Sequence, residues 1–363
     1  MDRTTARMID ANFNRAREAL RVMEDYARLV LDDGALTEAA KATRHDLSAC
    51  LTPHVQRLLL ASRDIVGDVG REVTAAGEFA RGNLAEVATA AGKRLSEALR
   101  VIEECAKPSD AALAVDTATP RQGLASAIER IRYRAYELER RLEVVGAARA
   151  RLAGLRLYVL LTAELCRRDW FETAEDVLRA GAGAIQLREK HLCDRELLQR
   201  ARRLATLCHR NDALCVVNDR SDVTAAAGAD GVHLGQEDID VAAARRVLPP
   251  FAVVGVSAHT LEQVRRAVEQ CPDYLAVGPM FPSVTKPQAY VPGPALLAQA
   301  RAVTGLPLVA IGGIDAGRVA EVGRAGRCVV CVCSAVIARD DPGQAVAELL
   351  ERLAHGETMN ASA

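Results

Sequence analysis

Residues suited to anion and metal chemistry recur in short runs through the second half of the chain. Gln186, Arg188 and Lys190 alternate in QLREK. Alternate residues of a β-strand point the same way, so the three share one face near a strand end. Arg offers phosphate a planar fork and Lys a point charge. Asn218, Asp219 and Arg220 close VVNDR, and Glu237 and Asp238 close GVHLGQED. Two carboxylates on neighbouring strand ends, Asp219 and Asp238, suit a Mg²⁺ held by few protein ligands, with water and substrate phosphate completing its shell. The plainer alternative is a carboxylate that only pairs with Arg188. Ser257 and His259 fall in GVSAHT, where a Ser can also simply cap the next helix. FPSVTK carries Ser283, Thr285 and Lys286, two hydroxyls and a cation for a phosphate. Gly312 and Gly313 in AIGGI, and Ser334 after Cys333 in VCSA, offer backbone N–H groups beside helix starts, a neutral phosphate cup. No nucleophile elbow is present, so a hydrolase triad is not expected. One region of metal and cations and one backbone cup suit two phosphorylated substrates, of which one carries a diphosphate.

These residues need a frame that gathers strand ends. From about residue 152, β-rich runs alternate with helical ones: LRLYVLL, GAIQLR, LCVVND, DGVHLG, AVVGVS, DYLAVGP, LPLVAIGG and CVVCVCSA are each followed by a helical segment. Such alternation implies a parallel sheet with right-handed crossovers. Eight units close naturally into a (β/α)8 TIM barrel, whose active site lies at the C-terminal strand ends. A doubly wound sheet is the alternative, but LYVLLTAELC lacks the Gly-rich first turn usual there. The expected class is therefore α/β, with an all-α domain over 1–146 and the barrel over 152–356.

The first 146 residues are rich in Ala, Arg, Glu and Leu at helical spacing, as in Ala19, Leu20, Met23, Ala27 and Leu29. SAIERIRYRAYELERRLEVV reads as one amphipathic helix. RAREALRVMEDYAR at 15–28 returns as RLSEALRVIEECAK at 94–107, with eight of fourteen positions identical. The plain reading is a duplicated helical unit packed with pseudo-two-fold symmetry, its Arg–Glu pairs solvated. The sharper reading is a paired Arg/Glu site between the copies.

Net charge is −1, so no global field argues for nucleic acid or an anionic membrane. No stretch approaches the length of a membrane-spanning helix. The opening segment is charged throughout, so no secretory leader is expected, and a cytoplasmic setting keeps the ten cysteines reduced. Cys328 and Cys331 lie three apart in a strand and point to opposite faces, so Cys328, Cys331 and Cys333 are expected to be structural rather than a zinc site.

QLREK, VNDR, GVHLGQED, GVSAHT, FPSVTK, AIGGI and VCSA, in this order, resemble the thiamine phosphate synthase family over residues from about 155 to 350. The resemblance implies a Mg²⁺-dependent barrel transferase. It would condense 4-amino-2-methyl-5-hydroxymethylpyrimidine diphosphate with hydroxyethylthiazole phosphate to give thiamine phosphate and diphosphate. Carried onto this chain, Gln186, Leu187, Arg188, Glu189, Lys190, Asn218, Ser257 and Lys286 would bind the pyrimidine diphosphate. Asp219 and Asp238 would hold Mg²⁺. Ser283, Val284, Thr285, Gly313, Cys333 and Ser334 would bind the thiazole phosphate, and Arg188, Lys190, Lys286 and Ser257 form the catalytic set. Ser283 stands where the family usually has Thr, and Cys333 where it has an aliphatic residue. A non-catalytic pathway sensor on the same barrel is the contrasting reading. Retention of Asp219, Asp238 and Lys286 favours the enzyme. ANFNRAREALRVMEDYAR, KATRHDLS and RDIVGDVG resemble the domain fused ahead of this enzyme in cyanobacterial-type members. That resemblance implies either a pyrimidine phosphate kinase or a scaffolding module for a homo-oligomer. No P-loop or kinase signature accompanies it.

Overall fold

A computed structural model describes residues 1–64, 81–113, 123–283 and 290–360, and the chain divides into two compact units, Met1–Gly146 and Ala147–Ala363. The first unit is helical. It comprises α1 (Arg3–Leu29), α2 (Gly34–Ala49), α3 (Pro53–Ser62), α4 (Leu84–Leu113) and most of α5 (Leu124–Ala153). Asp2 caps α1 by accepting the Thr5 N–H at 3.0 Å. Ala6, Ile9, Phe13, Ala16, Leu20, Met23 and Ala27 recur every three or four residues along α1 and are buried, whereas Leu29 is exposed.

The duplicated segments are α1 and α4, and these two helices pack against each other. Their acids correct the expectation of solvated pairs. Glu24 and Glu103, equivalent positions of the repeat, are buried at 6% and 3% exposure. Glu24 accepts from Arg44 Nε on α2 at 2.8 Å, and Glu103 from Arg132 Nε on α5 at 2.8 Å. Each acid is thus neutralised within its own copy, not across the two. Helical spacing exposes only partners on the same helix, and here the decisive arginine comes from the next one. Arg21 and Arg100, the equivalent basic positions, do stay half-exposed and pair with the same acids at i,i+3.

The second unit carries β1 (Leu157–Leu161), β2 (Ala184–Leu187), β3 (Leu214–Asn218), β4 (Gly231–Leu234), β5 (Val253–Ala258), β6 (Tyr274–Val277), β7 (Leu308–Ile311) and β8 (Val329–Val332). All neighbours are parallel, and β8 pairs with β1, so the sheet closes into an eight-stranded barrel. Closure disposes of the doubly wound alternative. Between and after the strands run α6 (Trp170–Arg179), α7 (Asp194–Arg210), α8 (Ser221–Ala227), α9 (Val241–Val247), α10 (Leu261–Glu269), α11 (Pro294–Val303), α12 (Val319–Ala325), α13 (Ser334–Ile337) and α14 (Pro342–Asn360). Strand alternation sorts the side chains. Leu157, Val159 and Leu161 join the core between strands and helices, while Tyr158 joins the lumen with Val216, Val253, Tyr274, Ala276, Val309 and Cys331. Ala148 and Leu152, at the end of α5, belong to that same inner cluster. Burial raises the thiol pKa of Cys331, and Cys333 lies past the strand as the residue before α13.

Two acids brace the N-terminal ends of the strands. Asp230 accepts from the Cys215 N–H at 2.8 Å and from His209 and Arg151, and Asp273 accepts from the Val254 N–H at 2.7 Å and Arg245 Nη2 at 2.9 Å. Burial raises the Asp273 pKa, and Arg245 opposes it. Asp273→Ala leaves a buried N–H and a guanidinium without their acceptor, and is expected to cost about 3 kcal/mol in denaturant unfolding. Because Asp273 lies at the end of β6 away from the strand C-termini, the folded variant is expected to keep its turnover. An unchanged unfolding midpoint would remove Asp273 from the brace.

Candidate active site

The C-terminal strand ends gather most of the residues singled out above. β2 ends at Leu187, so the QLREK alternation persists as far as Arg188, whose N–H still donates to the Leu161 carbonyl at 2.8 Å, and then the chain turns. The run divides by side. Gln186 faces the lumen, whereas Leu187 is fully buried among the outer helices. Glu189 also turns from the mouth: its Oε1 accepts from the Ala163 N–H at 2.9 Å and from Arg200 at 3.2 Å, tying the β1 turn to α7. Leu187 therefore has only its backbone to offer a ligand at the mouth, and Glu189 Oε1 is already engaged. Lys190 is exposed and its Nζ lies 3.2 Å from Asp219 Oδ2. Arg220 faces outward to Asp194 and Asp222.

Asp219 follows β3 at φ +65°, a left-handed conformation that Asp tolerates better than most residues, with its N–H on the His233 carbonyl at 2.8 Å. The turn after β4 carries Asp238, whose Oδ2 accepts the Gly235 N–H at 2.6 Å. Burial raises the Asp238 pKa, the Gly235 N–H lowers it, and the adjoining Asp219 carboxylate raises it again, so the two acids confront each other. Two opposed carboxylates with Lys190 beside them fit a Mg²⁺, which prefers hard oxygens and completes its octahedron with water and phosphate. Asn218, the last residue of β3, stands beside them in register with His233.

The residues of the expected backbone cup lie across β7 and β8. Gly312 (φ +98°) and Gly313 (φ +65°) turn the chain after β7. A Cβ at Gly313 would sit 2.5 Å from the Phe281 carbonyl oxygen and 2.7 Å from that of Pro282, so this turn packs directly on the segment leading to Ser283. Arg318 donates to the Gly313 carbonyl at 3.0 Å. Ile311 and Cys331 are in register, which puts Gly313 and Cys333 two residues beyond one strand pair. Burial pushes the Cys333 thiol up to about 11 while the Arg188 charge lowers it, so the guanidinium from β2 lies close to the end of β8. Val284, Thr285 and Lys286 lie outside the described residues.

Sequence reasoning missed the polar chain beneath this mouth. Gln186 Nε2 donates to Tyr158 Oη at 2.8 Å, Tyr158 and Tyr274 hydroxyls are 3.3 Å apart, Tyr274 Oη is 3.0 Å from His233 Nδ1, and His233 Nε2 is 2.8 Å from Ser257 Oγ. Tyr274 stacks on the His233 ring. Gly255 makes room for it, since a Cβ there would lie 2.0 Å from Tyr274 Cζ. The available signal was a lone Tyr or His in otherwise aliphatic strands, with a Gly in β5 marking a close approach. His259, noted beside Ser257, instead contacts the Gly278 carbonyl through Nδ1 at 2.7 Å.

Burial holds the His233 pKa down at about 4, below its usual 6.5. The unfolded chain therefore binds the extra proton between those values, and stability is complete above about pH 6.5 and falls as pH drops toward 4. The loss is expected to be on the order of 3 kcal/mol. Unfolding midpoints across this window should fall less steeply in His233→Gln than in the parent chain. Parallel slopes would show that His233 is not the group responsible.

Comparison with known proteins agrees with this geometry. A family model described as thiamine monophosphate synthase matches residues 157–336, and one described as the ThiD2 family matches residues 7–141. The thiamine-phosphate synthase of Rhodopirellula baltica is 38% identical over 97% of this chain and 94% of its own length. That of Thermosynechococcus vestitus is 39% identical over 97% and 95% respectively. Among solved structures, a thiamine phosphate pyrophosphorylase from Pyrococcus furiosus superposes with a TM-score of 0.52 at 34% identity, covering 57% of this chain and 98% of that one. With strand order, opposed carboxylates and full-length relatives in agreement, the chain belongs to the thiamine-phosphate synthase family.

Proposed function

We propose that residues 152–356 condense 4-amino-2-methyl-5-hydroxymethylpyrimidine diphosphate with hydroxyethylthiazole phosphate, and that the helical residues 1–146 form a separate domain. The observation that carries this reading is the opposed pair Asp219 and Asp238 with Lys190 beside it, at the mouth above the Gln186–Ser257 chain. The bond from the pyrimidine methylene carbon to the diphosphate oxygen breaks, and its electron pair leaves with the diphosphate. The electron-rich aminopyrimidine stabilises the resulting cation, and the thiazole nitrogen lone pair closes the new C–N bond. That nitrogen carries no proton, so no general base is required.

Catalysis then rests on charge neutralisation at the leaving group and on alignment of the two reactants. Arg188 and Lys190 bind the diphosphate, and Lys286 is assigned to the same task. Asn218 orients that diphosphate, and Gln186 and Ser257 hold the pyrimidine ring. Asp219 and Asp238 hold Mg²⁺, which when bound supplies positive charge to the departing diphosphate oxygens. Gly313, Cys333 and Ser334 offer backbone N–H groups to the thiazole phosphate, with Ser283 and Thr285 adding hydroxyls and Val284 lying between them. The test is diphosphate release on incubation with both phosphorylated precursors. Release that requires thiazole phosphate and Mg²⁺ together supports the assignment, and its absence in a folded preparation overturns it.

A further inference from the structure

The five-residue chain in the lumen has a direction. The Gln186 amide nitrogen can only donate, so Tyr158 Oη is its acceptor, at 2.8 Å. The Tyr158 proton is then free for Tyr274 Oη at 3.3 Å, and the Tyr274 proton for His233 Nδ1 at 3.0 Å. A neutral imidazole that accepts at Nδ1 carries its proton on Nε2. That proton meets Ser257 Oγ at 2.8 Å. The Ser257 hydroxyl proton has been left unclaimed, and so has Gln186 Oε1 among the described residues. Gln186, Tyr158, Tyr274 and His233 are all nearly inaccessible to solvent, so water cannot readily reverse the order from inside.

We infer that Tyr158, Tyr274 and His233 act as positioning residues that set the hydrogen-bond polarity of the pyrimidine pocket, fixing Gln186 Oε1 as an acceptor and the Ser257 hydroxyl as a donor. The inference rests on the assignment of Gln186 and Ser257 to the pyrimidine, and it adds what they select. An acceptor paired with a donor matches the edge of a 4-aminopyrimidine, whose exocyclic amino group donates and whose adjacent ring nitrogen accepts. The 4-oxo analogue presents the reverse order, a carbonyl acceptor beside a ring N–H. A buried site whose polar groups cannot turn rejects such an analogue, because each mismatched group is left without a partner. Discrimination against a deaminated precursor thus arises in the residues that link Gln186 to Ser257.

Tyr274→Phe separates this role from packing. The ring stays to fill the space above Gly255 and to stack on His233, and only the relaying hydroxyl is lost. His233 Nδ1 then loses its donor, the tautomer is released, and Ser257 can become an acceptor. The measurement is the ratio of kcat/KM for the amino substrate to that for its 4-oxo analogue, with thiazole phosphate saturating. The parent chain is expected to prefer the amino substrate by about 10³-fold or more. In Tyr274→Phe the ratio should shrink by about tenfold or more. A variant that loses activity on both substrates in proportion, with the ratio preserved, overturns the inference.

A second measurement needs no variant to be active. In the parent chain labelled with ¹⁵N-histidine, the His233 signals, identified by their loss in His233→Gln, should report a proton on Nε2 and none on Nδ1 at neutral pH. A proton on Nδ1 overturns the stated direction. Should the parent chain fail to use the aminopyrimidine diphosphate at all, the functional assignment fails instead, and the tautomer still reports on the chain.

Discussion

Asp219→Asn is expected to lower kcat by about 10²–10³-fold with both substrates saturating, and to raise the Mg²⁺ concentration for half-maximal rate by about 10–100-fold. The substitution isolates charge from shape. Asp219 sits at φ +65°, and Asn tolerates that region about as well as Asp, so the backbone and its N–H bond to His233 have no reason to move. An Ala there would add backbone strain and confuse the result. What disappears is one of two carboxylates held against each other, together with the Lys190 contact at 3.2 Å. Without metal, bringing two such carboxylates together opposes folding, so removing one charge should leave thermal stability unchanged or slightly higher. Retained stability with collapsed turnover is the pattern of a metal-binding acid. Near parent turnover at ordinary Mg²⁺ would take Asp219 out of the metal site.

The barrel and most of its rim were readable because strand alternation and strand–helix order are periodic properties of a chain. Gln186, Arg188, Asp219, Asp238 and Gly313 arrive at the rim as alternation along QLREK and the turns after VVND, GVHL and VAI require. The reading weakens where a side chain's use depends on a residue far away in sequence. Glu189 looked like one more rim residue, but Arg200 and the Ala163 N–H take its carboxylate. Glu24 and Glu103 looked solvated on their own helices, until Arg44 and Arg132 from neighbouring helices supplied the burial and the charge. Tyr158, Tyr274 and His233 belong to three different strands, and only barrel closure makes them neighbours. Nothing in the local pattern distinguishes a lumen Tyr that fills space from one that passes a hydrogen bond along.

Gly313→Ala is expected to reduce kcat/KM for the thiazole phosphate by about 10²-fold, with a smaller change in KM for the pyrimidine diphosphate. Two independent demands meet at this residue. Its φ of +65° lies where an L side chain is strained, a penalty of about 1 kcal/mol or more. Separately, a Cβ would stand 2.5 Å from the Phe281 carbonyl oxygen and 2.7 Å from that of Pro282, and both are backbone atoms that no rotamer change can clear. The conflict must be relieved by moving either the turn after β7 or the segment that leads into Ser283. Either movement separates the backbone N–H of residue 313 from the Ser283 hydroxyl, the pair assigned to one phosphate. The carboxylates after β3 and β4 stand across the closed barrel from β7, so the Mg²⁺ dependence should stay as in the parent chain. Gly312→Ala makes a useful comparison: its φ is +98° and its Cβ would meet Pro279 at 2.6 Å, so it disturbs the same turn against an earlier part of the same segment after β6. Should Gly313→Ala bind thiazole phosphate as tightly as the parent chain, the phosphate cup does not lie at this turn. A loss shared equally between the two substrates would point to general distortion of the rim instead.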